Sequence, residues 1–222
     1  MKINIKTGLA VVAIAFCLSG NSIAGKLEDG LDAFAKSDYA TALRLLLPLA
    51  KEGDPKAQLR LALMYGGVQG VPKDTIEAMK WFRKSAEQEN AFNQNYLGVL
   101  YRDGIDVRQD YSEAVRWFRK AAEQGYAKAQ INLGLMYVNS QGVLLDYAEA
   151  AKWYRKAAEQ GHAQAQSILG FMYNNGQGVP QDYFEAVKWY RKAAEQGEAK
   201  AQVNLGLMYN NGLGDDKDTT ET

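Results

Sequence analysis

The sequence holds a single cysteine, Cys17, in 222 residues. A lone thiol builds no disulfide framework, so stability has to come from packing. Histidine is equally scarce: His162 stands alone. A Ser-His-Asp triad, a zincin helix and a multi-histidine metal site all lack parts. No glycine-rich loop ends in Lys-Ser or Lys-Thr, so no phosphate loop is present. No Ser-x-x-Lys tetrad of a serine β-lactamase occurs either. Neither sign of charge dominates, with 26 basic and 26 acidic residues. That balance lacks the basic excess a nucleic-acid interface requires. The strongest apolar run, residues 9–18, covers ten positions, too few to cross about 30 Å of hydrocarbon. The residues therefore predict no enzyme, no metal and no cofactor.

What the sequence does contain is a period. Residues 129–164 read AQINLGLMYVNSQGVLLDYAEAAKWYRKAAEQGHAQ, and residue 165 starts the same pattern again. The step is 36 residues, and a period in that range implies a repeat architecture. Trp81, Trp117, Trp153 and Trp189 are all the tryptophans and keep that step, as do Tyr65, Tyr101, Tyr137, Tyr173 and Tyr209.

Each unit encodes two helices. In the first half Ala129, Leu133 and Tyr137 recur every four residues, on one helical face. Gly98, Gly134, Gly170 and Gly206 fill one slot of this helix, although Gly costs about 1 kcal/mol there. The expectation is a close approach, with another helix backbone crossing at the slot. The second half opens on Asp74, Asp110, Asp146 or Asp182, each three residues before a glutamate, which is a capping-box spacing. Its apolar stripe is Ala150, Trp153, Tyr154 and Ala157, and it closes on Gly125, Gly161 or Gly197. One helix pair cannot bury both faces alone, so neighbours must stack.

The pattern Ala-x-x-x-Leu-Gly-x-x-Tyr, then Gly-x-Gly-Val, then Asp-Tyr-x-x-Ala-x-x-Trp-Tyr-x-Lys-Ala-Ala-x-x-Gly resembles the Sel1-like repeat, a relative of the tetratricopeptide repeat. The resemblance covers about residues 54–214. It implies an all-α fold, a right-handed α-solenoid of stacked antiparallel helix pairs, and a non-catalytic adaptor that binds other proteins. Some relatives look disulfide-stapled, and this chain departs from them.

The ends depart from the unit. Residues 1–24 combine Lys2 and Lys6, the apolar run, and small residues at Ser22 and Ala24. That is the layout of a cleaved signal peptide, and it predicts an exported, periplasmic or secreted protein without an integral span after cleavage. Residues 25–53 read as a degenerate leading repeat, with a first helix near 27–36 and Pro48 inside the second. Units begin near 57, 93, 129, 165 and 201, the last incomplete. At the second junction Glu89 and Asn90 replace the closing glycine, and Asn90 is expected to take the left-handed turn. Residues 215–222 form a polar acidic tail, expected to be disordered.

The remaining signal lies on the other side of the first helix. One slot holds Leu63, Val99, Leu135, Phe171 and Leu207 in successive units. Beside it stand Asn139, Asn174, Asn175, Asn210 and Asn211. In tetratricopeptide-like solenoids this stripe faces a concave groove. Apolar side chains supply burial there, and amides engage a bound main chain. The middle slot could instead pack unit against unit. The expectation is a monomeric adaptor binding a peptide or protein segment. The alternative is a hydrolase acting on cell-wall or β-lactam-like material.

Overall fold

The computed structural model describes residues 24–214, apart from Gln69, Glu89 and the side chain of Val68. The expected signal peptide, except Ala24, and the expected acidic tail lie outside the described residues. Eleven α-helices and no strand occur among the described residues: α1 (24–35), α2 (Tyr39–Glu52), α3 (Pro55–Leu63), α4 (Thr75–Glu87), α5 (Ala91–Asp103), α6 (Tyr111–Glu123), α7 (Ala127–Val138), α8 (Tyr147–Glu159), α9 (Ala163–Asn175), α10 (Tyr183–Glu195) and α11 (Ala199–Asn210). Consecutive helices pack as pairs, which makes the fold an all-α solenoid of stacked helix pairs. The helices gather into two compact units that divide at Asn93 and Gln94. The division falls beside the junction that lost its closing glycine.

The first unit holds α1 to α4. Asp38 caps α2 by accepting the Thr41 N–H at 3.1 Å. The helix runs through Pro48 without a break, with the ring exposed. Gly30 of α1 lies against Leu46 of α2. After α3 the chain winds one π-turn over Met64–Val68, where Gly67 takes φ 104°. Asn90 acts through its side chain, which accepts the Asn93 N–H at 3.0 Å and so caps α5.

The second unit holds the three best copies of the repeat. Asp110, Asp146 and Asp182 accept the N–H of Glu113, Glu149 and Glu185 at 3.0, 2.8 and 3.0 Å. The glutamates use their own carboxylates on the tryptophans. Trp117, Trp153 and Trp189 donate Nε1–H to them at 3.1, 3.1 and 2.9 Å. The cap thus fixes the helix start and also satisfies a buried indole. In the first unit Trp81 Nε1 is buried without a partner. All four tryptophans are buried. Trp189 packs on Ala157, Ala158, Ala165 and Leu169, residues of the preceding pair and of its own first helix.

The glycine slot corrects the expectation of a crossing backbone. A Cβ at Gly98, Gly134 or Gly170 would meet the ring of Phe118, Tyr154 or Tyr190 at 2.6, 2.9 and 2.8 Å. The close neighbour is an aromatic side chain from the second helix of the same repeat. Gly206 has no atom within 4 Å, because no second helix follows α11 among the described residues. The loops need a different glycine. Gly178 takes φ 71°, and a Cβ there would lie 2.1 Å from the Tyr147 carbonyl oxygen of the preceding repeat.

A buried amide ladder fastens repeat to repeat. Gln130 and Gln166 donate to the carbonyls of Ala122 and Ala158 at 3.2 and 3.0 Å. Their Oε1 atoms accept from Gln160 and Gln196 at 2.8 and 2.7 Å. Gln58 repeats the pattern in the first unit, donating to Ala50 and accepting from Gln88. A second ladder runs from Arg119, Arg155 and Arg191 to the hydroxyls of Tyr137, Tyr173 and Tyr209 at 2.8, 2.7 and 2.7 Å.

Candidate protein-interaction face

In the second unit the first helices of the repeats are α5, α7, α9 and α11. Each turns one side toward the second helices, where Leu97, Leu133 and Leu169 are fully buried. The middle slot lies two residues further along, about 200° around the helix, and so faces away. Leu135, Phe171 and Leu207 are 38, 47 and 55% exposed, and Val99 is half-buried. These side chains are not core. Leu63 is half-buried and belongs to the other unit. One turn earlier Ile131 is half-buried, Ser167 is buried and Val203 is 62% exposed. Apolar exposure therefore rises toward α11.

The amides are placed unevenly. Asn139, Asn210 and Asn211 are exposed at helix ends. Asn175 turns its Nδ2 back onto the Phe171 carbonyl at 2.8 Å, so its donor serves its own helix. Asn174 is half-buried, and its carbonyl accepts from Gln181 at 2.8 Å. On α5 the corresponding positions carry Arg102 and Asp103, which form a two-bond pair at 2.7 and 3.0 Å. That pair raises the Arg102 guanidinium above its ordinary pKa and lowers the Asp103 carboxyl. Arg102 also donates to Asn132 Oδ1 at 3.1 Å, and Asn132 donates to Asn95 at 2.9 Å. The α5 end of the face is thus polar and internally satisfied, while the α11 end is apolar and open.

Two adjoining depressions occupy the α9/α11 end. One, of about 440 Å³, is lined by Phe171, Ala199, Lys200, Val203 and Asn204. The other, of about 220 Å³, includes Asn174, Tyr190, Leu207, Asn211 and Leu213, and shares Phe171 and Asn204 with the first. Tyr190 forms part of its wall. Burial pushes the Tyr190 hydroxyl up to about 12, partly offset by a hydrogen bond from Asn204. The sequence reading missed Asn132, Asn204, Tyr190 and Lys200. Asn132 and Asn204 share a slot with Tyr96 and Ile168, so no periodic amide marked them.

His162 sits at the N-cap position of α9, half-buried, with no side-chain capping bond. No cluster of three or more metal-ligating side chains occurs among the described residues. No helix among them is long and apolar enough to cross a membrane.

Comparison with curated proteins finds no match. Solved structures do match. The protective antigen c5321 of uropathogenic Escherichia coli strains, described as displaying an SLR fold, is 46% identical with a TM-score of 0.74. The match covers 78% of this chain, which spans only 37% of that antigen. A Sel1 repeat protein from Oxalobacter formigenes is 36% identical over 85% of this chain and 77% of its own, with a TM-score of 0.79. The Sel1 repeat profile itself matches residues 55–90, 94–126, 127–162, 163–198 and 199–221. The helix pairs, the glycine slots and these matches agree, and the chain belongs to the Sel1 repeat family.

Proposed function

We propose that this chain is a non-catalytic, exported scaffold that binds an extended peptide or protein segment along the first-helix face of α5, α7, α9 and α11. Sel1 repeat proteins typically act as protein-interaction scaffolds. The observation that carries the finer reading is the exposed row Leu135, Phe171 and Leu207 at one helical offset in three successive repeats. Contiguous apolar surface on a folded chain usually marks an interaction site, and aromatic residues dominate interface energy. Phe171, one turn before Asn174 and Asn175 on α9, is the anchor, with Asn139 at the end of α7 in the preceding repeat. No observation favours the hydrolase alternative.

The test is partner capture by the purified protein. Phe171→Ala, and separately Asn139→Ala, should weaken capture of a defined partner while leaving helix content unchanged. Capture that ignores both variants would refute the face. Export is tested separately: the protein recovered outside the cytoplasm should begin at Gly25, and a chain still carrying Met1 to Ala24 would refute cleavage.

A further inference from the structure

We infer that the α9/α11 end of this face reads a short extended motif, in which two apolar side chains at positions i and i+2 are flanked by an acidic residue. The inference rests on the scaffold reading above and names the ligand chemistry of that site.

Three observations carry it. The two depressions lie side by side and share Phe171 and Asn204 as their divider. Val203 borders one and Leu207 the other, one helical turn apart along α11. Four residues of helix rise about 6 Å. Alternate side chains on one face of an extended strand are separated by about 6.6 Å. The i and i+2 side chains therefore reach both depressions, whereas i and i+1 point to opposite faces.

The main chain of the ligand sets the second condition. Asn211 is exposed beside the smaller depression, and Asn174 lines it. Amides of this kind have use for an extended backbone, whose N–H and C=O groups are free, and none for a helix, whose groups are already paired.

Charge sets the third. Lys200 lines the larger depression, is exposed, and has no ion pair among the described residues. Glu198, two residues earlier, is the extended N-cap residue of α11 and forms no ion pair with Lys200 among the described residues. Lys200 also stands in the first turn of α11, where the helix macrodipole adds to the attraction for an anion. The segment 215–222, DDKDTTET, supplies acids but no apolar side chain, so it does not satisfy the motif. The occupant is a segment of another protein.

The test uses fluorescein-labelled peptides and polarisation with the purified full chain. The probe is Ser-Asp-Gly-Leu-Thr-Leu-Gly-Asp-Ser, with an acid two residues outside each leucine and so on the leucine face, on both sides so that either chain direction reaches Lys200. Its composition-matched isomer is Ser-Asp-Gly-Leu-Leu-Thr-Gly-Asp-Ser, and its charge counterpart replaces both acids by lysine. The probe should bind about tenfold more tightly than the isomer, because one leucine loses its pocket. It should bind about two- to fivefold more tightly than the lysine peptide at low salt. Lys200→Glu should reverse that charge order; a carboxylate in the first turn suits the helix, so the variant folds. Equal binding of the two isomers, or a charge order unchanged in Lys200→Glu, overturns the motif. Absence of binding by every peptide, with partner capture still dependent on Phe171, also overturns the motif and leaves the scaffold reading standing. Capture indifferent to Phe171 removes the scaffold reading itself.

Discussion

The same substitution in the same slot of two repeats should stabilise one and not the other. Gly134→Ala and Gly206→Ala both replace the glycine of a first helix. Alanine is favoured over glycine in a helix interior by about 1 kcal/mol, so both variants gain that amount. At Gly134 the new Cβ would sit 2.9 to 3.0 Å from the Tyr154 ring. Tyr154 is 2% exposed and packs with Ala150, Ala151 and Met172, so the ring has nowhere to retreat. Overpacking of this kind costs about 1–3 kcal/mol. The net change at Gly134 runs from neutral to a loss of about 2 kcal/mol. For a chain of this size each kcal/mol moves the melting temperature by about 2–4 °C. At Gly206 the Cβ meets nothing within 4 Å, so the helix gain stands alone. Solenoid stability is a sum over units, and the gain should be local. Hydrogen exchange of α11 amides should slow about fivefold, the equivalent of about 1 kcal/mol. Thermal unfolding read by circular dichroism gives the first number and exchange mass spectrometry the second. If Gly134→Ala stabilises α7 as much as Gly206→Ala stabilises α11, the aromatic ring does not fill the notch and the packing argument fails.

Other expectations follow from the same contacts. Gln130→Leu removes a buried amide that serves the Ala122 carbonyl and Gln160; it should lower stability by about 1–3 kcal/mol, measured in urea, while Gln202→Leu on the exposed α11 face should change little. Burial holds the Tyr190 hydroxyl at about 12 in the folded chain, and that of Tyr154 is also raised by burial, against about 10 unfolded. The folded value is the higher one, so this contribution is intact below pH 10 and is lost as pH rises toward 12. Melting temperatures measured across that window should fall less for Tyr190→Phe than for wild type. Gly178→Ala drives a Cβ into the Tyr147 carbonyl at a positive φ. It should lower the melting temperature more than Gly161→Ala, where φ is also positive but nothing lies within 4 Å.

Much of the fold was legible because it is local or periodic. The 36-residue step located the helix pairs. The aspartate caps and the closing glycine Gly161 mark helix ends through short-range backbone chemistry, and Gly161 takes φ 89° as that role requires. What the sequence left hidden depends on elements meeting in space. A ring twenty residues away fills the Gly134 notch, and no local signal distinguishes that ring from a crossing backbone. Gln130 and Gln160 both kept the period, yet their pairing thirty residues apart could not be read from either helix alone. The middle slot was undecided between core and surface, because a residue on the flank of an amphipathic helix is buried or open according to the neighbour's position. The structure leaves Phe171 and Leu207 open. The amide row was overrated for the same reason: Asn175 looked available, but its donor serves the Phe171 carbonyl.

The central claim is that the first-helix face, and not the second-helix face, receives the partner. Phe171 and Phe184 make a matched pair for testing it. They are the same residue type, 47 and 53% exposed, and lie on α9 and α10 in the same unit. A photo-crosslinking phenylalanine analogue at each position, irradiated with a bound partner, separates the two faces. The account predicts a covalent adduct from position 171 and none from position 184. Adducts from 184 alone, or equal yields from both, would contradict it.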